Sequence, residues 1–250
     1  MDGRDRQQGK ESDDWRKGDK VERKKRDQKP RGPRTGKDRG RDEKKRPRED
    51  RGQAPREGSH EKCLWPPGNM LYPLPVVMAS CGRPGEKPNI ITVAWAGTVC
   101  SSPAMVSISV RKERYSYQII KETGAFVINL VTKDLVFAAD HCGVRSGRDE
   151  DKFKEMGLTP QPSRKVAPPG ILESPVNIEC KVDQTIPLGS HDMFIAQVLG
   201  VTVDERYQDA AGKFHLNDMG LVAYSHGAYR TLGGCVGTFG YSVKKSKKGR

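Results

Sequence analysis

The run Val106-Ser107-Ile108-Ser109-Val110-Arg111-Lys112-Glu113-Arg114-Tyr115-Ser116-Tyr117 decides how this chain is read. Its first five residues alternate apolar and hydroxylated side chains, the period of a strand with one buried face. Two arginines follow, then a serine placed to cap a helix over Tyr117–Thr123 that stops at Gly124. Helix N-termini carry unpaired N–H groups and a partial positive charge, so a phosphate can sit there. Arg111 or Arg114 would add a charge-assisted fork and the Ser116 hydroxyl a further bond. Alone, the pattern also describes an ordinary capped helix with exposed arginines.

Working outward, further strands are expected over Pro75–Cys81, Asn89–Ala96, Ala125–Val131, Val176–Val182, Met193–Val203 and Val236–Val243. Their spacing is mostly that of hairpins, which predicts a mainly β, closed or nearly closed barrel. Peripheral helices are few: one over Lys133–Cys142, capped by Thr132 and stopped by Gly143, and one over Asp149–Met156, stopped by Gly157. Residues 63–77 are proline-rich and predict an extended lead into the barrel.

Two more segments can carry chemistry. Thr92, Trp95, Gly97, Thr98, Ser101 and Ser102 follow or end a strand, where small and hydroxylated residues can hydrogen-bond a flat heterocycle walled by Trp95. The competing reading is a strand and loop with a core tryptophan. His191, in Pro187–Met193 at the mouth of a long apolar strand, can donate to a ligand or serve as an acid at a redox site. An isolated histidine is more often structural.

The charge is unevenly distributed. Residues 1–60 hold 22 Lys/Arg and 14 Asp/Glu, so +8 of the formal +13 falls in that stretch. With Trp15, Val21 and Ala54 as nearly its only apolar side chains, it predicts a disordered charged tail, 1–60, before one folded domain, 61–250. Such a tail stays solvated or makes a weak, salt-sensitive contact with nucleic acid; with one tryptophan it offers little base stacking. No apolar run reaches the length of a membrane span, and no secretory signal pattern is present, so a cytoplasmic location is expected. The six cysteines show no zinc spacing and are expected to be reduced thiols, with no metal site. Phosphate-loop, zinc-protease and dinucleotide-binding fingerprints are absent.

Seven blocks, in order, carry a family resemblance: residues 89–98 (NIITVAWAGT), 102–117 (SPAMVSISVRKERYSY), 124–130 (GAFVINL), 142–149 (CGVRSGRD), 173–177 (ESPVN), 188–196 (LGSHDMFIA) and 237–241 (GTFGY). Over roughly 70–250 the chain resembles the flavin reductase-like FMN-binding split-barrel family, its flavoredoxin branch most closely. One departure is Ala104 after Pro103, where the family usually has a second proline.

The resemblance implies a six-stranded split β-barrel that forms a homodimer, with FMN in a groove at the subunit interface. Carried over by segment, Thr92, Val93, Ala94, Trp95, Ala96, Gly97 and Thr98 would lie along the isoalloxazine. Ser109, Val110 and Arg111, with Arg114, Tyr115 and Ser116, would hold the ribityl chain and phosphate. Ser146, Arg148 and Lys152 are weaker candidates, since their segment also reads as an exposed charged helix. His191 would lie near the flavin or an incoming nicotinamide, as the catalytic candidate. The implied activity is an FMN-dependent oxidoreductase of flavin reductase type, drawing electrons from NAD(P)H and passing them to free flavin, another protein or oxygen. Two alternatives stand: a flavoredoxin-like carrier without a nicotinamide site, and a nucleic-acid-binding protein acting through its tail.

Overall fold

A computed structural model describes residues 62–244. The expected disordered tail, 1–60, lies outside the described residues. Seven antiparallel strands make the main sheet: β1 (Val77–Cys81), β2 (Asn89–Val93), β3 (Ala96–Ser101), β4 (Ala104–Arg111), β5 (Ala125–Leu130), β6 (Val176–Pro187) and β7 (His191–Val203). Their order is β2-β1-β5-β6-β7-β4-β3. The outermost strands, β2 and β3, are separated in sequence by Ala94 and Trp95 alone. A two-residue link between opposite edges forces the sheet to curl until its ends approach. There the Ser109 N–H donates to the Trp95 carbonyl, 2.8 Å away. This is a split barrel. The six strands implied by the resemblance become seven because the stretch after Trp95, read as a loop, pairs with β4 as an edge strand.

Two apolar cores flank the barrel wall. Inside it pack Ile108, Val110, Phe126 and Phe194, joined by Tyr117, Ile119 and Ile120 from helix α1 (Tyr115–Thr123). Outside, Met78 and Ile90 meet Ala139 and Cys142 of helix α2 (Val136–Val144) and Phe153 of the short helix α3 (Lys152–Glu155). Strand β1 is therefore buried on both faces. Each Cys and Ser of β1 is inaccessible to solvent.

Several expected boundaries move, for identifiable reasons. Ser116 does not cap α1, which begins two residues earlier than expected, at Tyr115 behind Arg114. Its hydroxyl is buried and accepts from the Asn89 side-chain amide at 2.7 Å. Gly124 does end α1, in the left-handed conformation, φ 66°. Thr132 makes no side-chain cap, and a 3-10 turn, Lys133–Leu135, precedes α2. Gly143 does not stop α2: a Cβ there would lie 3.3 Å from the Thr92 Cβ, so this glycine serves close helix–strand approach. The helix expected over Asp149–Met156 shrinks to α3, capped by the Asp151 carboxylate, and its Lys152 and Phe153 are buried rather than exposed. The last strand expected over Val236–Val243 has no partner strand. The hairpin instead comes earlier, β8 (Val222–Ser225) with β9 (Ala228–Thr231), and pairs with Leu74–Pro75.

One polar cluster sits within the wall. The Asn129 amide donates to the Met78 carbonyl at 2.8 Å, and its oxygen accepts from the Ile171 N–H (2.9 Å) and the Asn177 amide (2.8 Å). Nearby, the Ser174 hydroxyl donates to the Leu130 carbonyl at 2.8 Å. Every member of this knot finds its partner within the chain.

Candidate functional site

Two cavities open side by side where β2, β4 and the start of α1 converge. The smaller, about 310 Å³, is lined by Arg111, Arg114, Arg145, Arg148 and Lys152, with Glu113 as its one carboxylate. Tyr115 and Ser116 bring the first turn of α1, the positive end of its dipole, to the same wall. The larger, about 650 Å³, is walled by the turn Thr92–Trp95, by Ser109 and Val110, and by His191, Tyr224 and Tyr229. Ile91, Arg111 and Arg114 line both, so the two form one groove with a cationic end and a flatter, aromatic end.

Local structure explains the cationic end. The loop after α2 is held down by Gly147, whose missing Cβ would fall 2.0 Å from the Asn89 Oδ1. Arg148 is thereby laid over the Tyr115 ring, 5.5 Å from its centroid, with a hydrogen bond to the Glu113 carbonyl at 3.2 Å. Lys152 reaches in from α3, 3% exposed, donating to the Ile90 and Cys142 carbonyls at 2.8 Å each. Burial pushes its ammonium below the usual lysine range. Beside it, burial raises the Cys142 thiol to about 11, so that sulfur stays protonated. A cluster of like charges at this density favours an anion strongly.

At the wide end His191 and Trp95 hold their rings parallel, centroids 6.4 Å apart, and the Ser190 hydroxyl lies 2.9 Å from the His191 Nδ1. Burial first, then the Arg111 charge, lowers the His191 pKa and keeps the imidazole neutral near pH 7. Across the cavity Tyr229 donates to Asp140 at 3.0 Å; burial and that carboxylate raise its phenol to about 12. The Thr92 hydroxyl is spent on the Ala139 carbonyl.

The groove gathers Thr92, Val93, Ala94, Trp95, Ser109, Val110, Arg111, Arg114 and His191 around the large cavity, and Tyr115, Ser116, Ser146, Arg148 and Lys152 around the small one. Ala96, Gly97 and Thr98 stand apart from both linings, on β3, paired with Ile108, Ser107 and Val106. Sequence reasoning did not single out Asn89, Arg145, Gly147, Tyr224 or Tyr229. The run Arg145-Ser146-Gly147-Arg148 carries a readable signal, two cations around a serine and a glycine. The tyrosines carry none, because the hairpin that delivers them was not anticipated. Among the described residues no cluster of side chains could hold a metal ion.

The curled split barrel is the fold of a flavin reductase-like protein. Residues 69–233 match the flavin reductase like domain, and the chain belongs to that family. It is 33% identical to the flavoredoxin of Desulfovibrio vulgaris (Miyazaki F), over 74% of this chain and 100% of that one, with a TM-score of 0.68. A flavoredoxin from Methanosarcina acetivorans is 26% identical over 74% of this chain and 100% of its own, TM-score 0.65. An uncharacterized protein of Archaeoglobus fulgidus is 34% identical over 147 residues, 59% of this chain and 81% of that protein. Among the described residues no helix is long and apolar enough to cross a membrane.

Proposed function

We propose that the groove binds FMN and that the protein is an FMN-dependent oxidoreductase drawing electrons from NAD(P)H. One observation carries this reading: the five cationic side chains at the narrow end open directly into the aromatic cavity through Arg111 and Arg114. FMN has the matching form, a phosphate dianion joined by a flexible chain to a flat ring system. When bound, it supplies the redox chemistry.

The chain's own residues bind and orient. Arg111, Arg114, Arg145 and Arg148 would hold the phosphate with the first turn of α1, and buried Lys152 would add a charge that cannot swing away. Ser116 acts one step back, fixing Asn89, which in turn seats the Gly147 loop. The Thr92–Trp95 turn would lie along the ring system, and neutral His191 would offer a hydrogen bond at the open face without adding charge there. The protein acts as a homodimer in the cytoplasm on this reading, with free flavin, a protein or oxygen as acceptor.

Purified protein should be yellow and release FMN on heating. Anaerobic NADH or NADPH should bleach the flavin band. A colourless protein that fails to take up FMN sinks the cofactor assignment. A yellow protein inert to both nicotinamides would favour the second reading, an electron carrier, which the 33% identity to a whole flavoredoxin chain supports.

A further inference from the structure

One residue grips both ends of the loop that carries two of the four groove arginines, Arg145 and Arg148. At the end of α2 the His141 carbonyl accepts the Arg145 N–H at 2.9 Å. Its ring reaches to the far end of the loop, with Nε2 2.7 Å from the Glu150 Oε1 and both side chains 23% exposed. A carboxylate can only accept, so the imidazole nitrogen is the donor. Residues 145–150 are thereby closed at their base by a single histidine. Within the loop the Ser146 hydroxyl takes the Arg148 N–H and its carbonyl the Asp149 N–H, each at 3.2 Å. At the tip Gly147 sits so close to the Asn89 side chain that a Cβ would not fit.

Neither His141 nor Glu150 lines either cavity of the groove. Glu150 borders a neighbouring hollow with Glu86, Asp149 and Asp151. What the pair fixes, however, does line the cationic cavity: Arg145, Ser146, Gly147 and Arg148. The other cations there are held by different means. Arg111 ends β4, Arg114 precedes α1, and Lys152 is tied to the Ile90 and Cys142 carbonyls. The ring end also hangs on other residues of α2, Thr92 on the Ala139 carbonyl and Tyr229 on the Asp140 carboxylate. Successive residues of α2 thus hold separate walls of the groove, and the His141 side chain holds only one of them. A loop fixed before its ligand arrives avoids the ordering cost that binding would otherwise carry.

We infer that His141 and Glu150 are positioning residues for the ligand's phosphate, acting through Arg145 and Arg148. The inference deepens the flavin reading and rests on it for what the groove holds. FMN and riboflavin, which differ only in the phosphate, are titrated against the full-length wild type and three variants. His141→Ala should weaken FMN binding about fivefold, the order of one net hydrogen bond, and leave riboflavin binding unchanged. Glu150→Ala should weaken FMN binding as well, although it removes a negative charge from beside a cationic cavity. His141→Gln, whose amide still offers a donor, should keep FMN affinity within about twofold of wild type. Equal weakening of FMN and riboflavin overturns the inference, because a damaged fold does not distinguish them. Tighter FMN binding by Glu150→Ala overturns it too, since charge alone would then be acting. So does FMN affinity untouched by His141→Ala, or a loss in His141→Gln as large as in His141→Ala. If the wild type takes up neither flavin, the functional reading falls instead. Amide hydrogen exchange then decides the hold on the loop: faster exchange across residues 145–150 in His141→Ala upholds it, and unchanged exchange overturns it.

Discussion

Asn129 and Lys152 are both almost inaccessible to solvent, and both donate to backbone carbonyls of neighbouring elements. Their surroundings differ in what is left over. Around Asn129, donors and acceptors match within the chain, which is how buried polar groups are ordinarily kept. Around Lys152, four arginines face one carboxylate, so among the described residues lining this cavity positive charge is in excess. A polar cluster that closes on itself holds a fold together, whereas one left open at a cavity keeps its charge available to a ligand.

The contrast can be broken at either end. The largest effect is expected from Asn129→Ala. It leaves the Ile171 N–H and the Asn177 amide buried without their acceptor, at about 1–3 kcal/mol each, so urea denaturation should show a loss of about 3 kcal/mol or more. Next, Arg111→Ala with Arg114→Ala should raise the FMN dissociation constant at least tenfold, since a charge-assisted bond contributes about 1.5–3 kcal/mol. The same pair should shift stability by no more than about 0.5 kcal/mol, as exposed positions do. If instead it unfolds the protein, the open cluster is structural after all.

A smaller effect tests a bond that belongs to neither cluster. The Tyr117 hydroxyl donates to the Asp192 Oδ2 at 2.6 Å, and the Lys112 Nζ lies 3.3 Å from Oδ1. Tyr117 first, then Lys112, holds the Asp192 carboxyl below its ordinary 3.8. That stabilisation is present above 3.8 and is lost as pH falls through the lower folded value. Tyr117→Phe should therefore lower stability at neutral pH and lower it less in acid, seen as a flatter acid limb in thermal denaturation. The smallest change is expected from deleting residues 1–60. FMN affinity should stay within about twofold while any RNA retention falls, and that retention should weaken steeply with salt.

Alternation and glycine stops made much of the barrel legible. Val106–Val110 lies within β4 and Val176–Val182 within β6, because a strand with one buried face writes its period into the sequence. The edge strand Ala96–Ser101 escaped because an exposed strand has no inward face to enforce alternation. Val236–Val243 misled for the opposite reason, being apolar without a strand to pair with. In the site, Arg111, Arg114 and His191 were legible as charges and rings at strand ends. Asn89 and Gly147 were not, since their meaning lies in a contact 58 residues apart in sequence that only the folded chain discloses.

The sheet register has a consequence for when the groove exists. His191 stands opposite Arg111 in the pairing of β7 with β4, a contact that joins residues 80 positions apart. Closing so long a loop is entropically slow, and chains dominated by distant pairings fold over milliseconds to seconds rather than microseconds. Arg111 and Arg114 can meet α1 early, from neighbouring sequence, but the face that carries His191 arrives only with this last, long-range ladder. During refolding, anion affinity should thus appear before ring affinity, and flavin fluorescence quenching should follow the slowest phase of strand assembly.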